Sequence, residues 1–272
     1  MGYQQQTGYL ENLPQIAAAL RQYLSANGGI DFILHGGDML DCTTDDNIRA
    51  AAEHFDFAIP VYLCLGNHDV TVPDAVERWL ALAPQFFVGG VQDYTVASEA
   101  CLVHVVPNHW CDRPSYWNGT QNPHLSDAQA GRLSNELDRH LDIPHILLTH
   151  CPVYGLPIAQ TGFRDPYHAP SASFTREVVM LATTHGSVKC VLGAHNHMNM
   201  RVRHAGVEFA TVSALVETPF EFKLFEVTPQ KMAMQTISLR TSVDFDAEPD
   251  PAKSFVQGRN EDRSFSREFM TT

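Results

Sequence analysis

Seven side chains in four short motifs carry the chemistry this 272-residue sequence can offer. Asp38 closes Gly36-Gly37-Asp38. Asn67, His68 and Asp69 follow Gly66. His150 sits in Thr149-His150-Cys151-Pro152, and His195 and His197 lie in Gly193-Ala194-His195-Asn196-His197. A carboxylate, an amide oxygen and three imidazoles make a mixed oxygen and nitrogen donor set, which suits Fe, Mn or Zn better than the oxygen-seeking Mg or Ca. Two such cations about 3.5–4 Å apart clamp the attacking and leaving oxygens of a phosphoryl displacement, and a hydroxide between them is a nucleophile near neutral pH. Along an extended segment His195 and His197 project to one side and Asn196 to the other. The two imidazoles can then share one cation or serve two neighbours.

Each motif follows a short apolar run, at 30–34, 60–65, 146–148 and 188–192. Such runs read as buried strands, and sites in open α/β sheets form at the carboxyl ends of strands. Four motifs far apart in sequence are therefore expected on one rim. Glycines 37, 66 and 193 suit backbone that turns sharply beneath a crowded site. The remaining pattern predicts helices over 12–25, 45–57, 73–82, 126–141 and 173–184. Asn12 is the expected cap of the first, with Pro14 in its first turn. Ser126 with Gln129 makes a capping box for the fourth. Strand-like stretches follow at 91–97, 100–106, 200–204, 207–212, 220–226 and 231–239, and a polar tail at 241–272. Alternating strands and helices followed by a strand-rich end predict an α/β fold, two sheets packed together with helices outside.

Taken singly, each motif is an ordinary turn, helix cap or strand end; their joint occurrence in this order is specific. Together they resemble the calcineurin-like metallophosphoesterases, and the layout looks most like the cyclic-nucleotide and glycerophosphodiester phosphodiesterase branch. Four of the family's five blocks are present, over roughly residues 9–240. The resemblance implies a four-layer α-β-β-α sandwich of two mixed sheets, one domain over 1–240, and a metal-dependent phosphodiesterase acting through a metal-bound hydroxide. Hydrolysis of phosphomonoesters at the same site is the nearest alternative. It also implies roles. Asp38 bridges two cations, Asn67, His150 and His195 complete the second site, and His197 belongs to the first. His68 contacts the phosphate and protonates the leaving oxygen, held by Asp69. Two departures stand out. The last block carries one extra residue, Ala194, after its glycine. The D-x-H block, which supplies a first strand and two first-site ligands, has no counterpart before Asp31. Either the start lies too late or the protein lacks them. As it stands the first site keeps Asp38 and His197, so one bound cation is an expectation beside two. A mononuclear or non-catalytic family member is the rival reading. The strand's absence leaves a sheet edge that a second copy could cover as a homodimer.

The loops at 108–125 and 153–172 overhang the expected rim and supply substrate contacts, with His109, Arg164 and His168 foremost. Net charge is −13, from 18 Lys and Arg against 31 Asp and Glu, without a basic cluster, which argues against a dedicated nucleic-acid surface. A small phosphoester remains compatible, because a bound cation reverses the local field. Mean hydropathy is −0.17 and no run of apolar residues is long enough to span a membrane. Six scattered cysteines without a C-x-x-C pair read as reduced thiols of a cytoplasmic protein.

Overall fold

The computed structural model describes residues 9–111 and 116–269. Helix α1 (Tyr9–Ala26) leads to strand β1 (Ile33–His35), helix α2 (Asp45–His54) and strand β2 (Val61–Leu63). Then come α3 (Ala75–Leu82), β3 (Tyr94–Ala97), β4 (Leu102–Val105), α4 (Asp127–Arg139) and β5 (His145–Leu148). Short α5 (Ile158–Thr161) and α6 (Ala172–Thr184) precede β6 (Val188–Gly193), β7 (Met200–His204), β8 (Val207–Thr211), β9 (Glu221–Thr228) and β10 (Lys231–Ser238). A single helical turn, α7 (Asn260–Arg263), feeds the last strand, β11 (Ser264–Glu268).

The large sheet has the order β3-β4-β5-β6-β8-β7, with β4, β5, β6 and β8 parallel and antiparallel strands at both edges. The parallel strands are almost wholly buried, as crossover helices on a sheet require. The second layer is not one mixed sheet. It consists of the parallel pair β1-β2 and an antiparallel triple, β11-β10-β9. Both pieces share one core with the large sheet: Val61 and Leu63 from the pair, and Met232, Phe225, Val227 and Phe265 from the triple, pack with Val103, Ile146 and Val191.

Helix ends match the expected signals where a side chain makes the cap. Ser126 Oγ accepts from the Gln129 N–H at 3.2 Å, and Gln129 Oε1 accepts from the Ser126 N–H at 2.9 Å. At α1 the sequence misleads: the helix begins three residues before Asn12 and places Pro14 in its interior. Tertiary packing decides that helix. Its Ile16 and Leu20 bury against Phe220, Leu239 and Ala247, and Tyr23 meets Phe222 edge-on at 5.0 Å. The polar tail expected at 241–272 also needs correcting, and the unit does not end at 240. Residues 264–268 alternate exposed and half-buried, and pair along β10 from Lys231 to Gln235. Asp262, fully buried, accepts the Arg201 N–H at 2.7 Å and holds Arg259, so the segment is fastened to β7.

Candidate metal centre

β1, β2, β5 and β6 all end at one rim, as expected. The chain beyond β1 turns at Gly37 (φ +104), where an added Cβ would lie 2.5 Å from His150 Nδ1. Beyond β2 it turns at Gly66, where a Cβ would collide with Asp38 Oδ1. No other residue fits these two positions without moving the motif. Asp38, His195 and His197 all take positive φ, between 53° and 57°. Such backbone is uncommon outside glycine and persists only where the surroundings fix it.

Four atoms converge there. His150 Nε2 is 3.2 Å from Asp38 Oδ2, 3.1 Å from Asn67 Oδ1 and 3.0 Å from His195 Nδ1, and Asn67 Oδ1 is 3.0 Å from His195 Nδ1. The other nitrogen of each ring faces an acceptor. His150 Nδ1 donates to the Gly36 carbonyl at 2.8 Å, and His195 Nε2 donates to Gln121 Oε1 at 3.0 Å. In the neutral rings the protons are thus committed outward, and four lone-pair atoms face one another. A proton or a cation relieves that arrangement, and outward acceptors of this kind orient metal-ligating histidines. Among the described residues Asp38, His150 and His195 form the one group with metal-ligand spacing. Asn67 adds a fourth donor, and a mixed N/O set of four fits a transition-metal dication.

The electrostatics agree. Burial alone would raise the Asp38 carboxyl, but adjacent His150 and the His68 N–H hold it well below the usual range. Burial disfavours the His150 cation, yet Asp38 and the Gly36 carbonyl outweigh it and raise that ring above its ordinary value. Partial burial first, then the facing His150, pushes the His195 ring down to about 3. Burial first, then the charge of Asp38, pushes Asp69 up to about 7 against the hydrogen bonds it accepts.

Asp69 does not hold His68. Its Oδ2 accepts the N–H groups of Asp38 and Gly66 at 2.8 Å each, and its Oδ1 accepts that of Leu40 at 3.1 Å. The turn at His68–Val70 sends residue 69 inward and residue 68 outward, so Asp69 ties the two glycine turns together. Trp79 Nε1 anchors α3 to the same turn by donating to the Asp69 carbonyl at 2.9 Å. His68 is held by Asp41 instead, through its carbonyl at 2.9 Å and its carboxylate at 3.6 Å, and lies 4.9 Å from the Trp117 ring.

The rest of the predicted set divides. His197 is outside the converging group; its Nδ1 meets Glu217 Oε1 at 2.8 Å. The positive φ at both 195 and 197 removes the extended alternation expected there, and the two rings address different partners. His168 is near, its ring 6.4 Å from His195. His109 is not, because its ring faces His124, and Trp110 next to it packs 5.8 Å from His195. Arg164 is exposed, and among the described residues no hydrogen bond or ion pair joins it to the cluster. Trp110 and Trp117 lie on the 108–125 loop expected to overhang the rim and were candidates there, whereas Asp41, Gln121 and Glu217 were missed as site residues. Glu217 had a signal, since it follows β8, another parallel strand whose end reaches this rim.

Residues 8–199 match the family model described as calcineurin-like phosphoesterase. The chain belongs to that family. All four motifs lie within the match. The serine/threonine-protein phosphatase CPPED1 of Homo sapiens and that of Pongo abelii are each 25% identical to it over 208 residues, 71% of this chain. The alignment spans 60% of the length of those relatives. Two solved structures share the fold. A dimetal phosphatase from Danio rerio superposes with a TM-score of 0.61 at 15% identity, covering 86% of this chain and 87% of its own. GAP50, described as the anchor in the inner membrane complex of Plasmodium, also gives 0.61, at 11% identity, covering 89% and 86%. No helix among the described residues is long and apolar enough to cross a membrane.

Proposed function

We propose that the chain hydrolyses small phosphoesters at the Asp38–Asn67–His150–His195 cluster, with phosphomonoesters preferred. The observation that carries this reading is the set of four lone-pair atoms converging beside His68. Those four residues would hold a divalent cation, with Mn, Fe or Zn the best match to the donors, and Asp38 with His197 would serve a second. When bound, such an ion withdraws charge from phosphoryl oxygens and lowers the pKa of water. The protein supplies position. Asp41 sets the orientation of His68, whose side chain is 36% exposed and so within reach of a substrate. His68 hands a proton to the leaving oxygen. Trp117 packs against the His68 ring at 4.9 Å, and Trp110 and His168 stand 5.8 Å and 6.4 Å from the His195 ring. The motif layout by itself favours phosphodiesters; the named relatives are phosphatases, which favours monoesters. A cytoplasmic setting and a homodimer belong to the same proposal.

The test is kcat/KM for p-nitrophenyl phosphate against bis(p-nitrophenyl) phosphate, with Mn²⁺ or Zn²⁺ supplied. At least about a tenfold preference for the monoester is expected, the size of one well-placed interaction in the transition state. A reversed ratio restores the diesterase reading. Turnover of neither, with cation bound, leaves a binding role in place of catalysis.

A further inference from the structure

The loop after β6 carries left-handed backbone at two residues that are not glycine, His195 (φ 57°) and His197 (φ 56°). Such backbone is strained and persists only where the surroundings over-determine it, so the loop must be held at both ends. At its entry the Ala194 N–H donates to the His150 carbonyl at 2.8 Å. At its exit stands Asn199, wholly buried. The Asn199 N–H donates to the Val256 carbonyl at 2.9 Å, and its carbonyl accepts Gln160 Nε2 at 2.8 Å. Its side-chain amide donates to Glu221 Oε2 at 2.6 Å and to the Gln257 carbonyl at 3.3 Å, and its Oδ1 accepts the Ser213 N–H at 3.3 Å. Glu221 is itself buried and fixed by Arg263, which also donates to the Gln257 carbonyl at 2.8 Å. At Gly258 (φ +77) an added Cβ would lie 2.8 Å from the Asn199 carbonyl oxygen. Between the two anchors Asn196 Oδ1 accepts the Met198 N–H at 3.1 Å and Thr211 Oγ1 donates to the Met198 carbonyl at 2.6 Å, so little slack separates Asn199 from His195. Apart from Gln160, the partners of Asn199 lie beyond residues 8–199, which the family model covers.

We propose that Asn199 is a positioning residue of the metal centre: the C-terminal segment grips it, and through the short loop it sets where His195 Nδ1 stands. The inference rests on the Asp38–Asn67–His150–His195 cluster holding a cation, as the proposed function has it. It gives residues 256–258 a task beyond closing the fold. Any displacement at the loop's exit moves His195 Nδ1 against His150 Nε2 and Asn67 Oδ1, each 3.0 Å away. Partners outside the ligand set that orient a ligand are worth about 10–100-fold in metal affinity. A merely structural anchor would cost stability and leave the cation site unmoved.

The experiment compares the full wild-type chain with Asn199→Ala, Gly258→Ala, Gln160→Ala and, as a stability control in the separate core under α1, Leu239→Ala. Long-range ¹⁵N–¹H correlation spectra of the metal-free imidazoles report His195 directly, and Co²⁺ titration followed by visible absorption reports the loaded site. Asn199→Ala and Gly258→Ala are expected to shift the His195 resonances, to lower Co²⁺ affinity about 10–100-fold and to alter the Co²⁺ bands, while His104 and His145 stay in place. Gln160→Ala, which removes its bonds to the Asn199 and Phe255 carbonyls, gives the same changes at smaller size. Leu239→Ala lowers the urea midpoint and leaves both readouts unmoved. His195 resonances that stay in place, or an unchanged Co²⁺ affinity, in folded Gly258→Ala overturn the proposal, as does an equal loss of affinity in Leu239→Ala. If Asn199→Ala and Gly258→Ala do not fold, Gln160→Ala decides by the same criteria. A wild type that binds no Co²⁺ counts against the hydrolase reading, and the His195 shift in the metal-free chain then decides the role of Asn199 by itself.

Discussion

Two close pairs of histidines, the first buried and the second half-buried at His195, stand in this molecule at almost the same separation and do opposite things. His104 Nε2 and His145 Nδ1 are 2.7 Å apart, and His150 Nε2 and His195 Nδ1 are 3.0 Å apart. In the first pair every proton has a place. His145 Nε2 donates to the His140 carbonyl at 2.8 Å, so its Nδ1 accepts from His104, whose own Nδ1 accepts the Thr95 hydroxyl at 3.0 Å. Arg132 donates in turn to Thr95 Oγ1 at 3.3 Å. The chain of donors and acceptors closes, and two neutral rings lie nearly parallel at 8°. In the second pair both protons point outward and the inner lone pairs oppose each other and two further oxygens. Proximity of imidazoles is therefore no sign of a metal site; the direction of their protons is.

The largest effect that would break this comparison is on activity. His150→Ala removes a central donor and is expected to lower kcat/KM by more than about 100-fold, since even the outer partners of ligands are worth about 10–100-fold. His104→Leu should leave kcat/KM within about threefold. Similar losses from both, measured on folded protein, would show that the two pairs do not differ as described. Stability gives a smaller and opposite signature. His104→Leu strands the His145 Nδ1 acceptor and should cost about 1–3 kcal/mol in urea unfolding. The smallest effect is on pH dependence. Burial, reinforced by His145, pushes His104 down to about 3, and burial also lowers His145. An unfolded histidine titrates near 6.5. The unfolded chain therefore binds more protons between about 6.5 and 3, so this contribution is complete above that window and is lost as pH falls through it. The urea midpoint should drop from pH 7.5 to pH 5 in the wild type and drop less in His104→Leu. Equal slopes would mean that His104 takes up its proton as readily in the fold as in the unfolded chain.

The metal-type residues were legible because parallel strands end together, and the sequence marks those ends with glycine and polar groups. That rule put Asp38, Asn67, His150 and His195 on one rim, and it put His197 beside them, which the fold turns to Glu217 instead. Proton direction was not legible. Gly36 and Gln121 are acceptors only once the chain is folded, and nothing in a one-dimensional pattern says which carbonyl a ring will face. The exchange of Asp69 for Asp41 has the same origin, because one 3₁₀ turn decides which neighbour points inward. His109 was chosen over Trp110 on residue type, whereas the bridge to His124 turns the histidine away from the rim. The last strand was missed because its polar alternation, half-buried at best, resembles a solvated tail until β10 is there to receive it.

The four converging atoms do not belong to one sheet. Asp38 and Asn67 stand on the loops after β1 and β2, the isolated parallel pair, while His150 and His195 follow β5 and β6 of the large sheet. Few polar bonds cross that seam at the rim, the Gly36 carbonyl with His150 being one and Cys64 Sγ with the Leu148 carbonyl at 3.7 Å another. An ion held there works as a rivet between two layers. Loading would add the ion's binding energy to the packing that already joins the layers, and stripping it would leave that end of the sandwich to packing and these few bonds.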